Sequence, residues 1–261
     1  NNKVVAVVGD GATVEGMSFE GLNYSSNAKL PIVIVINDNG MAIPKNVGGI
    51  NHMGWSSNNW GKKSRMFFEA LGFKSFTVED GHNLSDLVDT FQKVNKINQR
   101  SVVVHVRTEK GKGLKMASSH PYKMHFSMPF DPNTGAGVSP VPPGVTYSTI
   151  SGQVLEQLLE KNKKLVALTP STPYASGIDT LLDKFPNQII DVGMAEQHAI
   201  GMAVGIALAG FTPFVFFQST FMQRAYDQLI HDVCYMKLNV TIFASRSGFS
   251  GLDSATHHAI Y

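Results

Sequence analysis

Two short β-branched runs, each followed directly by glycine, acidic and amide residues, constrain the fold of this chain more than any other feature. Residues 4–8 (VVAVV) lead into Gly9-Asp10-Gly11, and residues 32–36 (IVIVI) lead into Asn37-Asp38-Asn39, with helical apolar spacing between the two runs. Short uninterrupted apolar runs are typical of strands buried on both faces, and a strand–helix–strand order is the unit of a parallel sheet. The order predicts an α/β fold.

The same alternation continues along the chain. Further strands are predicted over residues 73–78, 101–106, 165–169, 189–192, 214–218 and 240–244. The helices predicted between them include residues 84–95, 178–185 and 221–232. Residues 111–146 are instead rich in Gly, Pro, Ser and Lys, which favours a connection. We therefore predict two α/β domains, 1–125 and 147–261, joined by a linker over residues 126–146, each domain a mostly parallel sheet flanked by helices.

The ends of the sequence lead to a further expectation about these two domains. The chain opens directly on its first strand and closes at Tyr261, shortly after its last strand. We expect the first domain to be incomplete at its N-terminus and the second at its C-terminus. On this interpretation the 261 residues alone would not turn over substrate.

Composition excludes several classes of function. The net charge is +2, from 22 basic and 20 acidic residues, and no basic run stands out, so nucleic acid is not an expected partner. The apolar stretches are interrupted well short of the roughly 20 residues that cross a bilayer, so no membrane partner is expected either. Cys234 is the single cysteine, which excludes an internal disulfide and fits a reducing compartment, the cytoplasm or, in a eukaryote, a plastid-type organelle. Its apolar helix face predicts that Cys234 lies in the core.

The polar residues that follow the first two strands form a candidate anion and metal site. Carboxyl ends of neighbouring parallel strands meet at one edge of a sheet, where ligands of open α/β sheets bind. Glycines let the backbone approach phosphate oxygens, and a carboxylate with amide and carbonyl oxygens suits Mg²⁺. The alternative is a pair of turns that use Gly, Asp and Asn only because turns favour these residues.

A second motif places a carboxylate at the start of a helix. In Asp191-Val-Gly-Met-Ala-Glu-Gln-His-Ala199, Glu196 follows a predicted strand and opens a helix rich in small residues. Its neighbours Gly193, Met194 and Ala195 predict apolar surroundings, which would suit a carboxyl that is protonated or shares a proton. The alternative is a charge that only complements the positive end of the helix dipole.

These motifs together resemble those of a known enzyme family. Gly-Asp-Gly followed by Asn-Asp-Asn is similar to the thiamine diphosphate signature. Residues 191–198 and 219–233 resemble the 1-deoxy-D-xylulose-5-phosphate synthases, within the transketolase-like thiamine diphosphate enzymes. The resemblance extends over most of the chain, including residues 79–82, 108–113, 130–132 and 256–258.

The resemblance implies a diphosphate-binding first domain, a pyrimidine-binding second domain, and a homodimer that binds thiamine diphosphate and Mg²⁺. The implied reaction condenses pyruvate with D-glyceraldehyde 3-phosphate, giving 1-deoxy-D-xylulose 5-phosphate and CO₂. The implied site residues are the metal ligands Asp10, Asn39 and Met41 (through its carbonyl); the cofactor contacts Gly9, Gly11, Ala12, Lys110 and Phe221; the catalytic residues Glu196, His125 and His257; and Arg224, Arg246 and Asp253 in the substrate region.

Some positions depart from the family pattern, and they lie on the substrate side. These are Gln218, Ser245, Ser247 and Ala259. They leave open another transketolase-like or 2-oxo acid dehydrogenase-like activity, or a non-catalytic or split cofactor-binding subunit. Arg224 also has a simpler interpretation, in which it pairs with Asp227 or Asp232 on its own helix.

Overall fold

The computed structural model describes residues 3–28, 30–54, 58–120, 122–125, 129–137 and 144–247, with the backbone alone for residues 52–54. The chain divides into two compact units, Asn1–Pro140 and Val141–Tyr261. The division falls within the segment that the sequence predicts to be a linker.

The first unit is built on a four-stranded parallel sheet with the strand order β1-β2-β4-β3. Its strands are β1 (Val4–Gly9), β2 (Ile32–Asp38), β3 (Lys74–Val78) and β4 (Val102–Arg107). Its helices are α1 (Asp10–Thr13), α2 (Gly16–Asn27), α3 (Gly49–Gly54), α4 (Trp60–Ala70) and α5 (Leu84–Asn95), and a 3₁₀ turn follows at Lys115–Ser118. The crossover from β3 through α5 places β4 in the middle of the sheet.

Both faces of this sheet are covered by helices. On one face, Leu22 of α2 and Phe68 of α4 pack with Ile36 and Val103 of the central strands. On the other face, α5 packs against alternate valines of β2 and β4. The prediction of burial on both faces is wrong for β1, where Val7 is 70% exposed, because β1 is an edge strand that pairs with β2 alone among the described strands.

The second unit repeats this plan with the strand order β6-β5-β7-β8, again all parallel. Its strands are β5 (Leu165–Thr169), β6 (Ile189–Asp191), β7 (Thr212–Gln218) and β8 (Thr241–Ser245). Its first three helices are α6 (Tyr147–Lys161), α7 (Leu181–Lys184) and α8 (Glu196–Leu208). The predicted α/β fold, with two mostly parallel sheets flanked by helices, is confirmed.

The helix after β7 is less regular than the sequence predicts. A single helix is expected over residues 221–232, but the chain forms a 3₁₀ segment at Ser219–Ala225, a short α9 (Tyr226–Gln228) and a π-helical segment at Leu229–Tyr235. Within the π-helical segment Val233 takes the buried side, and the adjacent Cys234 is therefore exposed. The prediction that Cys234 lies in the core is therefore wrong.

Within the described ranges of the chain, no helix is long and apolar enough to cross a membrane.

Candidate cofactor site

Asp10 lies at the carboxyl end of β1, where it opens α1, and its side chain is buried. Its Oδ2 accepts a hydrogen bond from Asn46 Nδ2 at 3.2 Å. Burial raises the pKa of Asp10, the nearby carboxylate of Asp38 raises it further, and the bonds from Asn46 and from the Asn39 backbone oppose this. Asp10 is thus a desolvated carboxyl whose charged form would be stabilised by a cation.

The loop after β2 brings the other predicted metal ligands to the same edge of the sheet. β1 and β2 are paired in register, with Gly9 opposite Asn37. Gly40 has φ +72°, in the left-handed region that favours glycine, and the turn lets the Asn39 side-chain oxygen accept from the Met41 amide at 3.1 Å. An amide oxygen has two lone pairs, so this bond leaves acceptor capacity on Asn39.

The predicted diphosphate contacts lie at the start of α1. Gly9 precedes the helix, and Gly11 and Ala12 belong to its first turn. Amides of a first helical turn have no partner inside the helix, and they point toward anions placed at its start. A side chain at Gly9 would meet nothing within 4 Å, so the chain surface at this point is open.

Lys110 and His125 lie together beside the loop after β2. Lys110 Nζ donates to the carbonyl of Ala42 at 3.1 Å, and it also contacts Nδ1 of His125. Burial lowers the pKa of Lys110, and the charge of Asp10 acts in the opposite direction. Loss of solvation, and then the charge of Lys110, lower the pKa of His125. Two residues that the resemblance assigned to the active site therefore adjoin the loop that carries Met41.

In the second unit, Glu196 opens α8 and is only 4% exposed. Its Oε2 accepts from Arg224 Nη1 at 3.1 Å. The surroundings of Glu196 are therefore not simply apolar, as its sequence neighbours predicted, because a guanidinium from the segment after β7 reaches it. Arg224 therefore pairs with a carboxylate of α8.

Asp191 supports the turn that leads to Glu196, a role that the sequence did not reveal. Its Oδ1 accepts from the amides of Ser171 and Gly193, both at 2.9 Å. Ser171 and Gly193 both have positive φ, +55° and +77°. Burial raises the pKa of Asp191, and the two amide bonds oppose the rise. An Asp at a strand end, followed two residues later by Gly, is the only sequence signal of this arrangement.

The remaining predicted residues of this unit are dispersed. Phe221 is half-buried in the 3₁₀ segment after β7. Arg246 is exposed, and with Ser245 and Ser247 it lines a cavity of about 980 Å³ that Glu196 and Phe221 do not line. Gln218 is buried, and its Nε2 has no partner in the part of the chain that the structure describes. Three residues lie outside the described ranges: Asp253, His257, and Ala259, which departs from the family pattern.

Comparison with known families bears on both units. Residues 143–261 match the family model described as transketolase, pyrimidine binding domain, so the second unit is of the transketolase class. Residues 1–61 and 57–108 match the model described as 1-deoxy-D-xylulose-5-phosphate synthase. The resemblance that the motifs indicated is confirmed: this chain is a relative of the 1-deoxy-D-xylulose-5-phosphate synthases.

Two curated relatives agree with this assignment. The chain is 36% identical to 1-deoxy-D-xylulose-5-phosphate synthase 2 of Geobacter sulfurreducens, over 100% of the chain and 47% of that protein. It is 37% identical to the 1-deoxy-D-xylulose-5-phosphate synthase of Clostridium perfringens, over 100% of the chain and 48% of that protein. The chain thus spans about half the length of the curated relatives it matches. Transketolase from Campylobacter jejuni aligns in structure with a TM-score of 0.42 and 16% identity, covering 98% of the chain and 49% of that structure.

Proposed function

We propose that this chain carries the cofactor-binding part of a 1-deoxy-D-xylulose-5-phosphate synthase, a thiamine-diphosphate- and Mg²⁺-dependent transferase. It would condense pyruvate with D-glyceraldehyde 3-phosphate and release CO₂. The observation that carries the proposal is the buried Asp10 carboxylate, set with Asn39 at the ends of two neighbouring parallel strands, inside the segment that matches the synthase family.

The donor groups around Asp10 fit a magnesium diphosphate. Mg²⁺ prefers oxygen ligands and is usually held by one or two carboxylates together with phosphate oxygens and water. Asp10 would supply the carboxylate, Asn39 its amide oxygen, and Met41 its backbone carbonyl. Because Asp10 is desolvated and lies near Asp38, a divalent cation would relieve an electrostatic cost that amide donors relieve only in part.

The residues beside this group fit the diphosphate. Gly9 leaves open space at the start of α1, and the first-turn amides of Gly11 and Ala12 would donate to phosphate oxygens. Lys110 adds a positive charge that the field of Asp10 already favours. The histidine it contacts, His125, would face the reacting groups.

In the second unit, Glu196 would hold a proton at the aminopyrimidine ring, and Phe221 would stack on that ring. Thiamine diphosphate, when bound, supplies the electron sink that decarboxylation of a 2-oxo acid requires. Arg224 binds Oε2 of Glu196 and so fixes the orientation of the carboxyl group. Arg246, exposed at the end of β8, would contribute charge toward the phosphate of the acceptor.

The proposal is tested by calorimetric titration of the chain with thiamine diphosphate in the presence and absence of Mg²⁺. We expect Mg²⁺-dependent binding in the wild type and its loss in Asp10→Ala, which removes the one charged ligand. Asp89→Ala is the matched control, because Asp89 is an exposed aspartate of α5 in the same unit. Unchanged affinity in Asp10→Ala, or equal losses in both variants, would contradict the metal assignment.

The substrate is tested separately, with the protein that carries this chain. Incubation with pyruvate and D-glyceraldehyde 3-phosphate should release CO₂ and give 1-deoxy-D-xylulose 5-phosphate. Turnover of a ketose donor without CO₂ release would instead support the transketolase-like alternative.

A further inference from the structure

Three buried polar side chains form a connected group behind the loop that carries Asn39 and Met41. Ser64 Oγ of α4 lies 2.6 Å from Nδ1 of His105 on β4, and Nε2 of His105 lies 2.7 Å from Oδ2 of Asp38 at the end of β2. All three residues are less than 9% exposed. None of them was singled out as a site residue by the sequence.

The fold holds the His105 ring rigidly. Trp60, Ser64 and Phe68 recur every four residues and form one face of α4, which packs on the sheet. Trp60 and Phe68 meet the imidazole edge-on, with ring centroids 5.0 and 6.3 Å from it. A ring enclosed in this way keeps both of its nitrogen contacts.

The chemistry of Asp38 and Ser64 determines which atoms donate in the two hydrogen bonds of the His105 ring. The carboxylate of Asp38 can only accept, so Nε2 of His105 carries a hydrogen and donates to it. In the neutral ring Nδ1 then accepts, and the hydroxyl of Ser64 donates to it. Ser64 therefore holds the ring in the tautomer that binds Asp38.

Asp38 connects the fixed His105 ring to the loop that carries Asn39 and Met41, here called the metal loop. Its Oδ1 accepts from the Gly40 amide at 3.1 Å, the carbonyl of Gly40 accepts from the Asn46 amide at 2.8 Å, and Asn46 Nδ2 donates to Asp10. A continuous series of hydrogen bonds thus runs from α4 to the Asp10 carboxylate. Gly40 lies between Asn39 and Met41, so any movement of Gly40 displaces both of them.

A hydrolytic role for the Ser64, His105 and Asp38 group is excluded by access. Ser64 is 2% exposed, and the cavity that these residues line has a volume of about 20 Å³. Such a space holds about one water molecule and no substrate.

We propose that His105 is a positioning residue for the metal loop: held by Ser64, it fixes Asp38 and, through Asp38, the Gly40 turn that presents Asn39 and Met41. The consequence for metal binding rests on the function proposed above, whereas the consequence for the loop does not. A preformed loop lowers the cost of assembling oxygen ligands around the ion.

Two substitutions, each similar in shape to part of the histidine ring, test its contacts with Asp38 and with Ser64 separately. The amide nitrogen of Gln reaches the position of Nε2, so His105→Gln keeps a donor for Asp38. The amide of Asn reaches only the position of Nδ1, so His105→Asn keeps the contact with Ser64 and loses Asp38. Ser64→Ala is a third variant, which releases the ring without altering it.

The first measurement is residue-resolved amide hydrogen exchange in the chain without cofactor. Asp38 freed from His105 should hold the Gly40 amide less firmly, so we expect Gly40 and Asn46 to exchange about tenfold faster or more in His105→Asn. His105→Gln should restore slow exchange, and Ser64→Ala should give a smaller acceleration. The Val104 amide, in the centre of the sheet, is the internal reference and should not change relative to global stability.

The second measurement is the Mg²⁺ concentration needed for half-maximal thiamine diphosphate binding, which should rise in His105→Asn and return toward the wild-type value in His105→Gln. Unchanged Gly40 and Asn46 exchange in His105→Asn would overturn the proposal. If His105→Asn does not fold, unchanged exchange in Ser64→Ala overturns it. A wild type that binds no thiamine diphosphate contradicts the proposed function alone, because the exchange result stands without cofactor.

Discussion

A close approach of two backbone segments in the second unit gives a prediction whose sign can be worked out from distances. Gly152 lies in α6, and a Cβ built there would come within 2.1 Å of the carbonyl oxygen of Gly177. Gly177, with φ +70°, meets α6 in turn, because its own Cβ would lie 2.2 Å from the carbonyl oxygen of Ser148. The two segments therefore touch backbone to backbone, and no flexible side chain can yield.

Gly152→Ala should destabilise the chain by about 1–3 kcal/mol. An ordinary contact of a Cβ begins at 3.4 Å, so α6 or the Gly177 turn must move by more than 1 Å. Overpacking of this kind costs about 1–3 kcal/mol, and the better helix propensity of Ala returns up to about 1 kcal/mol. The movement would also strain the bond from Ser148 Oγ to the Ala175 carbonyl, 2.9 Å long, so the upper half of the overpacking cost, about 2–3 kcal/mol, applies and the net loss is about 1–3 kcal/mol.

Urea unfolding followed by circular dichroism measures this difference, and the same substitution elsewhere serves as the control. Gly205 lies in α8 and is exposed, and a Cβ added there would meet no atom within 4 Å. Gly205→Ala should therefore stabilise the chain by about 0.5–1 kcal/mol. If Gly152→Ala proved as stable as Gly205→Ala, the close packing of α6 on the Gly177 turn would be refuted.

Two further predictions concern the carboxylates of the second unit. Glu196→Gln should retain thiamine diphosphate while slowing deuterium exchange at the thiazolium C2 by about 10²- to 10⁴-fold, and wild-type exchange would show that another group moves this proton. For Asp191, the raised pKa means that its contribution to stability is fully present below the unfolded pKa and is lost as the pH rises through the folded pKa. Asp191→Asn keeps an acceptor for Ser171 and Gly193, but its amide does not titrate. The urea midpoint of this variant minus that of the wild type should therefore increase from about pH 3 to pH 7. A difference that does not change with pH would contradict this.

Local sequence determined most of the fold, because strands and helices here follow strong periodic patterns. α5 begins and ends where its apolar spacing predicts, helped by Asn83, whose side chain accepts from the amides of Ser85 and Asp86. The helix predicted over residues 178–185 failed, since only Leu181–Lys184 is helical. Ile178 is instead buried in the core as part of the preceding turn, and tertiary packing outweighs the helical spacing there.

The arrangement of the candidate site was predictable where a motif is contiguous and less so where distant segments meet. Asp10 and Asn39 follow paired strands, so the topology alone brings them to one edge of the sheet. The partners Asn46 and His105 come from a loop and a central strand, 36 and 67 positions along the chain from the carboxylates they bind. A histidine inside the run Val102–Arg107 was the one visible sign, because an imidazole in a buried strand requires a polar partner.

The two units differ in how far the charge of their buried carboxylate is compensated by neighbouring groups, and this difference bears on their separate roles. Glu196 receives a guanidinium from its own unit, so one of its oxygens is already committed as an acceptor and the group is oriented without a ligand. Asp10 receives an amide from Asn46 and lies near a second carboxylate, an arrangement that leaves negative charge only partly offset. A buried charge is costly unless it is paired. On the proposed function, the first unit would therefore gain most from a cation that arrives with the cofactor, and the second would hold a single carboxyl in place for proton transfer.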